Sequence, residues 1–288
     1  MANLKDIRKR IVSVKNTQQI TSAMKMVAAA KLRKAQERTE KARPYADKMM
    51  EVLGSLALRT DPSSHPLLAR RTVGKVMLII ITSDRGLCGA FNQNIIRATE
   101  RFVFENRKKY SDIMFTIIGK KGYDYFRKRD VNRYKNYTGI SGKIDYELAG
   151  RITWDMIDVF LTQATDEIYL LYNRFKSAAT QEMVFDRILP FTRLKIPEGE
   201  MVLEYIFEPS EEDILDDIIV KNLEIQLFRA LLESEASEHG ARMTAMDSAT
   251  SNAEEMIEKL TLDYNRARQE SITNELMEIV GGAEALKK

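Results

Sequence analysis

SEEDILDDIIVKNLEIQLFRALLESEASEHGARMTAMDSATSNAEEMIEKLTLDYNRARQESITNELMEIV, residues 210 to 280, decides the fold of this chain. It holds no proline and a single glycine, Gly240; it opens on Ser210-Glu211-Glu212-Asp213 and meets Gly281-Gly282 at its end. Serine ahead of acidic residues starts a helix, because its hydroxyl and their charges satisfy the free N–H groups of the first turn; paired glycines favour a stop. One helix of that length spans about 105 Å at 1.5 Å per residue. That is too long to lie on a compact domain, so the reading is a projecting helix. Several shorter helices broken at Gly240 and elsewhere are the alternative.

The apolar pattern says what the projection is for. Met246, Ala249, Ala253, Met256 and Leu260 recur in steps of three and four, and Tyr264 and Ala267 continue the stripe. A stripe this narrow fits a coiled coil better than the broad face of a core helix. Ala, Met, Ser and Thr stand where Leu and Ile would bind two helices most strongly.

The partner is expected at the other end of the chain. Residues 1 to 43 contain neither glycine nor proline, and Leu4, Ile7, Ile11 and Val14 step at three, four and three. Ile20, Met24 and Val27 then lie on a shifted stripe, which predicts a stutter. Residues 1–60 carry 14 Lys and Arg against 5 Asp and Glu, whereas residues 210–288 carry 8 against 18. Ends of opposite sign attract each other and repel copies of themselves, so the expected pair is intramolecular and antiparallel. The first helix ends near Arg43-Pro44-Tyr45, or bends there and runs on toward Leu58.

Composition excludes several classes. The net charge is +3, and no run of about 18 apolar residues offers a membrane span. The basic amphipathic opening runs too long for a transit peptide and lacks the short apolar core and small-residue cleavage site of a signal peptide. Cys88 is the single cysteine, which excludes an internal disulfide framework and fits a reducing compartment. His65 and His239 are far apart in sequence with no cysteine cluster near either, so no metal site is expected. His65, in the loop Asp61-Pro62-Ser63-Ser64-His65-Pro66, reads as a surface residue.

Between the helical ends the pattern changes. VGKVMLIIIT (73–82) is a dense apolar run, as a buried parallel strand requires. Ser83-Asp84-Arg85-Gly86-Leu87-Cys88-Gly89 follows as a turn, and 90–110 turns helical. Further strands are expected at 113–118, 133–138 (polar, at an edge), 167–172, 181–189 and 201–207, with helices at 122–129 and 145–165. Alternation of this kind implies an α/β sheet covered on both faces; the last strands lack intervening helices, so part of it should be antiparallel. Trp154, at helical spacing with Ile157 and Leu161, reads as core. The expected domains are an N-terminal shaft helix (1–60), an inserted three-layer α/β domain with a mostly parallel sheet (70–208), and a C-terminal shaft helix (210–288).

A strand, a glycine turn and a helix can cradle phosphate. Here, however, there is no G-x-G-x-x-G and no Lys-Ser/Thr after the glycines. Cys88 near a helix start could be an activated nucleophile, but no histidine lies near it in sequence. The turn therefore reads as structural, with Asp84, Gly86, Cys88 and Gly89 shaping it. No catalytic constellation and no cofactor are expected. An α/β nucleotide-binding enzyme with a coiled-coil arm and a free-standing coiled-coil adaptor remain as other readings.

Three blocks carry a resemblance. Lys15 to Ala29 (KNTQQITSAMKMVAA), Ser83 to Gly89 (SDRGLCG), and Glu235 to Glu275 with its SEHGARMTAM, ATSNA and YNRARQESITNE segments resemble the F-type ATP synthase gamma-subunit family. The likeness runs from end to end. It implies a central shaft inside a ring of alpha and beta subunits, with the α/β domain as a foot held by the epsilon subunit and the membrane c-subunit ring. Proton flow would turn ring and shaft, and the shaft would force the catalytic sites of the beta subunits through their states. By the same resemblance Met24, Lys25, Arg268, Gln269, Thr273 and Glu275 would meet the alpha and beta subunits, and Arg43, Tyr45, Tyr205 and Glu208 the rotor ring or epsilon. Arg268 could instead pair within its helix with Glu270 or Glu275. The chain lacks the extra cysteine-bearing segment of the light-regulated plastid branch. The resemblance thus implies a bacterial protein peripheral to the cell membrane on its cytoplasmic side, attached only through partners, with no nucleic acid bound.

Overall fold

The computed structural model describes residues 4–59, 65–69, 71–191 and 211–285. The chain divides into two compact units, one of Ala28–Arg242 and one that joins Met1–Val27 to Met243–Lys288. Two long helices enter both, α1 (Leu4–Arg59) and α5 (Glu211–Ala285). The first helix runs on past Pro44, as the second of its two readings had it. Helix α5 is one helix through Gly240, against the alternative of shorter pieces, and passes the stop expected at Gly281-Gly282.

The Ala28–Arg242 unit is built on a five-stranded sheet in the order β3-β2-β1-β4-β5. Its strands are β1 (Lys75–Ile81), β2 (Asp112–Ile118), β3 (Asn132–Tyr137), β4 (Glu167–Phe175) and β5 (Gln181–Leu189). All pairings are parallel except β4 with β5, where a short connection replaces the helical crossover. The polar strand β3 lies at an edge, where its Lys135 meets Asp155 at 2.5 Å.

Strand β1 explains the layering. Val76, Leu78 and Ile80 face one core with Ile95 and Ile96 of α2 (Phe91–Asn106) and Phe126 of α3 (Lys120–Phe126). Met77, Ile79 and Ile81 face the other, with α4 (Tyr146–Leu161) and α5. A central strand with both faces covered must be apolar at every position, and KVMLIII is so after its first residue.

The second core contains Leu215, Ile219, Leu223, Leu227 and Leu231, a row along α5 at every fourth residue. A row of large aliphatics at that spacing makes a core face; the thin seam begins only beyond Arg242. This places Ala28–Arg59 and Glu211–Arg242 in the same unit as the sheet, so the units divide elsewhere than at 60/70 and 208/210. Gly240 allows a close approach: a Cβ there would meet Phe175 at 3.1 Å and the Ala178 backbone at 3.2 Å. Trp154 is a correction, since it is 57% exposed while its neighbours Ile152, Met156 and Ile157 are buried. It stands on the outer side of α4. The expected strand 201–207 and the loop 61–64 lie outside the described residues.

In the other unit the chain ends run antiparallel. Lys25 meets Asp247, and Thr21 meets Thr250, while Leu4 and Ile7 lie beside Ala267 and Asn274. Among the buried and half-buried positions of α1 there, Leu4, Ile7, Ile11, Val14, Gln18, Thr21 and Lys25 follow an unbroken alternation of three and four. The expected stutter is absent. Polar residues hold the seam where the aliphatics leave it: the Thr250 hydroxyl lies 2.8 Å from that of Thr21, and Lys25 Nζ lies 2.6 Å from Asp247 Oδ1. Ile20, 61% exposed, faces outward with Val27. On α5, Met256 is likewise outside at 53% exposed, and Ile257 takes its place in the row Met246, Thr250, Ala253, Ile257, Leu260, Tyr264.

Candidate functional site

In an open α/β sheet ligands bind at the carboxyl ends of strands, where the strand order reverses. Here that point lies beyond β1 and β4, and the turn Ser83–Gly89 leaves β1 there. Ser83 and Asp84 of the turn are drawn inward. Asp84 accepts from the backbone N–H groups of Lys120 (2.9 Å), Gly139 (3.0 Å) and Ser141 (2.9 Å). Burial works to raise its pKa, but the N–H groups of Ser141, Gly139 and Lys120 outweigh it and hold the carboxylate below its ordinary value. Ser83 donates its N–H to Asn92 Oδ1 (2.9 Å) and its hydroxyl to the Arg85 carbonyl (2.5 Å).

The two glycines of the turn differ in backbone geometry. Leu87 (φ 63°) and Gly89 (φ 57°) are left-handed, whereas a Cβ on Gly86 would meet only the end of Lys121 at 3.5 Å. The close approach to β1 occurs at Gly119 and Gly122, which abut Thr82. Cys88 is buried, and burial pushes its thiol pKa up, so it is not an activated nucleophile.

Helix α5 fills the crevice. Leu231, Ser234, Glu235 and Glu238 close over Thr82, Ser83 and Asp84, leaving about 20 Å³, room for about one water. Arg242 Nη2 donates to the carbonyls of Arg85 (3.3 Å) and Gly86 (3.2 Å) and pairs with the buried Glu238 at 2.7 Å. A nucleotide has no space there. Among the described residues no group of three or more His, Cys, Asp or Glu is placed to hold a metal ion, and no helix is long and apolar enough to cross a membrane.

Sequence reasoning missed the buried charges of this α5 segment. Glu235 pairs with Arg38 of α1 at 3.3 Å, and Arg38 also donates to the Ile144 carbonyl. Glu233 meets Arg229 (2.9 Å) and Arg174 (3.5 Å). His239 is 4% exposed; desolvation, with Arg242 and Lys31 adding to it, lowers its pKa to about 4. His65 also departs from expectation. Its Nδ1 accepts from Leu67 N–H (3.1 Å), its Nε2 lies 3.1 Å from Asp216, and burial lowers its pKa. A dense run of charges inside an apolar stripe was the available signal for the α5 cluster.

The residues assigned by resemblance to a surrounding sleeve lie along the paired ends. Met24 is partly buried beside the seam, and Lys25 is engaged with Asp247. Arg268, Gln269, Thr273 and Glu275 are exposed near the C-terminal end of α5. Arg268 makes no ion pair among the described residues, because Glu270 is taken by Arg266 (3.2 Å) and Glu275 accepts from Ser271 (3.4 Å). Thr273 bonds back to the Gln269 carbonyl at 2.9 Å. Exposed Ile272, Leu276, Met277, Ile279 and Val280 accompany them. Arg43 and Tyr45 are exposed on α1, beside Pro44; Tyr205 and Glu208 lie outside the described residues.

Comparison with known proteins finds relatives along the whole chain. A family model described as ATP synthase matches residues 3–286. The ATP synthase gamma chain of Geotalea uraniireducens is 54% identical over 287 residues, covering all of both chains. That of Trichlorobacter lovleyi is 52% identical over 288 residues, again covering both. Among solved structures, the central stalk and c-ring of the Tetrahymena thermophila mitochondrial ATP synthase contains a chain with TM-score 0.60 and 26% identity, covering 80% of this chain and 99% of that one. A chain of the Euglena gracilis mitochondrial ATP synthase matches at TM-score 0.70 over 98% and 94% of the two chains; at 22% identity it speaks to the fold alone.

Proposed function

The chain belongs to the ATP synthase gamma family, and from that premise we propose that it is the central shaft of a rotary, proton-translocating ATP synthase. It would transmit rotation of a membrane c-subunit ring to the catalytic beta subunits and carry no catalytic site itself. The observation that carries this reading is the seam between the two chain ends. It is narrow and partly polar, with Thr21–Thr250 and Lys25–Asp247 crossing it. Two helices so joined resist bending and twisting as a pair, and their outer faces stay free for a partner. The closed crevice at the head of the sheet supports the non-catalytic part of the proposal.

On this reading Met24, Lys25, Arg268, Gln269, Thr273 and Glu275 meet the alpha and beta subunits. Arg43, Tyr45, Tyr205 and Glu208 meet epsilon or the rotor ring, and Asp84, Gly86, Cys88 and Gly89 shape a structural turn. In functional terms residues 1–60 and 210–288 form the shaft and 70–208 the foot. The protein would sit at the cytoplasmic face of a bacterial membrane, held there by its partners. Reconstitution tests this: adding the chain to purified alpha and beta subunits should yield an assembled complex with ATPase activity. Beta subunits that neither assemble with it nor respond to it would sink the proposal.

A further inference from the structure

A cavity of about 160 Å³ lies in the Ala28–Arg242 unit, lined by Lys31, Lys34 and Arg38 of α1, Gly142 of the β3–α4 connection, and Glu235 and His239 of α5. We propose that this cavity is a binding site for a small tetrahedral oxyanion of the inorganic phosphate class, held by Lys31, Lys34 and the His239 ring.

Charge balance is the first argument. Glu235 is the single acid of the lining, and Arg38 neutralises it at 3.3 Å. Lys31 and Lys34 make no ion pair among the described residues, so the lining carries two cations without an internal counter-charge. The second argument is independent of the lysines. His239 is almost wholly buried, and Arg242 Nη1 lies 3.3 Å from its Nδ1. A guanidinium only donates, so Nδ1 accepts and the ring proton resides on Nε2. No described residue accepts that proton. His239 lines the cavity, so its ring N–H can donate to a ligand oxygen held there. The same surroundings disfavour a cation: burial, with Arg242 and Lys31 adding to it, lowers the His239 pKa.

Volume selects the size of the ligand. The space equals that of about five water molecules and falls below the roughly 300 Å³ at which drug-sized ligands are enclosed. A phosphate with a few waters fits; a nucleoside does not. Gly142 (φ 76°) brings backbone to the rim, with nothing within 4 Å of where its Cβ would stand.

The chain has two histidines, so His65 is an internal control. The experiment labels the full chain with ¹³C-histidine and titrates inorganic phosphate at about pH 6.5, with sodium chloride at matched ionic strength and ADP as separate arms. Phosphate is expected to shift the His239 resonance saturably and leave His65 in place. Lys31→Gln and Lys34→Gln should each weaken that response roughly tenfold, as for loss of one charge-assisted hydrogen bond. No movement of His239, equal movement in chloride, a response to ADP but not phosphate, or full response in both folded variants would each overturn the proposal. The two lysines are exposed, and the histidine spectrum itself reports whether each variant is folded.

Discussion

Arg242 Nη2 lies 3.2 Å from the Gly86 carbonyl oxygen, and the same guanidinium binds Glu238 at 2.7 Å. The turn that in other α/β sheets offers N–H groups to phosphate here offers carbonyls to an arginine. The Ser83 N–H is taken by Asn92, and the turn's Asp84 collects the N–H groups of Lys120, Gly139 and Ser141. The head of the sheet has become a socket for α5.

Arg242→Ala tests the socket. It removes two carbonyl bonds and leaves Glu238 buried beside no cation, a loss of about 3 kcal/mol. Arg242→Lys keeps the charge but cannot bridge both carbonyls and the carboxylate, and should lose about 1–2 kcal/mol. Urea unfolding of the two variants should rank them in that order.

Gly119→Ala should be among the most damaging single changes in the α/β unit. Gly119 has φ 97°, and a Cβ there would run into the Thr82 carbonyl, so both strain and clash act. A loss of about 3 kcal/mol or more is expected. Gly139→Ala, at φ 73° but in open space, should cost about 1 kcal/mol. Equal thermal midpoints for the two would refute the close approach.

Much of this fold was legible in the sequence because its signals are local. β1 reads as buried from KVMLIII, and α1 and α5 read as helices from the lack of breakers. Gly281-Gly282 misled, because a helix stops there only if another structure claims the backbone. The phantom stutter had a related cause: hydrophobicity was followed to Ile20 and Val27, whereas Thr21 and Lys25 stay in register because Thr250 and Asp247 face them. Partners from the far end of the chain are invisible to periodicity. His65 failed likewise, since its acceptor Asp216 lies about 150 residues away. Arg268 and its neighbours were assigned by resemblance alone, because contacts to an outside partner would leave no periodic pattern in their own helix.

Cys88 should be slow toward thiol reagents. Its thiol is buried, burial raises its pKa, and Asn92 Nδ2 lies 3.2 Å from the sulfur. At about pH 8 its labelling should be at least a hundredfold slower than that of a free thiol and should become fast in denaturant. Rapid labelling of the native chain would contradict the closed turn.

Arg268→Ala should separate coupling from folding. With no ion pair to lose, the isolated chain should keep its stability within about 0.5 kcal/mol. Proton-driven ATP synthesis in assembled complexes should fall roughly tenfold, as for loss of charge-assisted bonds at an interface. Arg266→Ala, which breaks the exposed pair with Glu270, should leave coupling unchanged. Undiminished synthesis in Arg268→Ala would remove this residue from the partner surface.

His239 should make the fold sensitive to mild acid. Its pKa is about 4 in the folded chain against 6.5 for the ordinary group, so the unfolded state takes up a proton first as pH falls. The stability it contributes is complete above about pH 6.5 and drains away as pH drops toward about 4. Complete burial would set that loss at about 3 kcal/mol; water reaching the ring reduces it to about 2. Other groups titrate over the same range, among them Glu238, whose pKa is raised by burial and whose effect has the opposite sign. The comparison with His239→Gln isolates the histidine, because glutamine still accepts from Arg242 and does not titrate. Urea midpoints of the two proteins should run parallel above about pH 7 and diverge below it, with the parent chain losing more. Parallel curves down to about pH 4.5 would mean that His239 takes its proton in the folded state as readily as in the unfolded one.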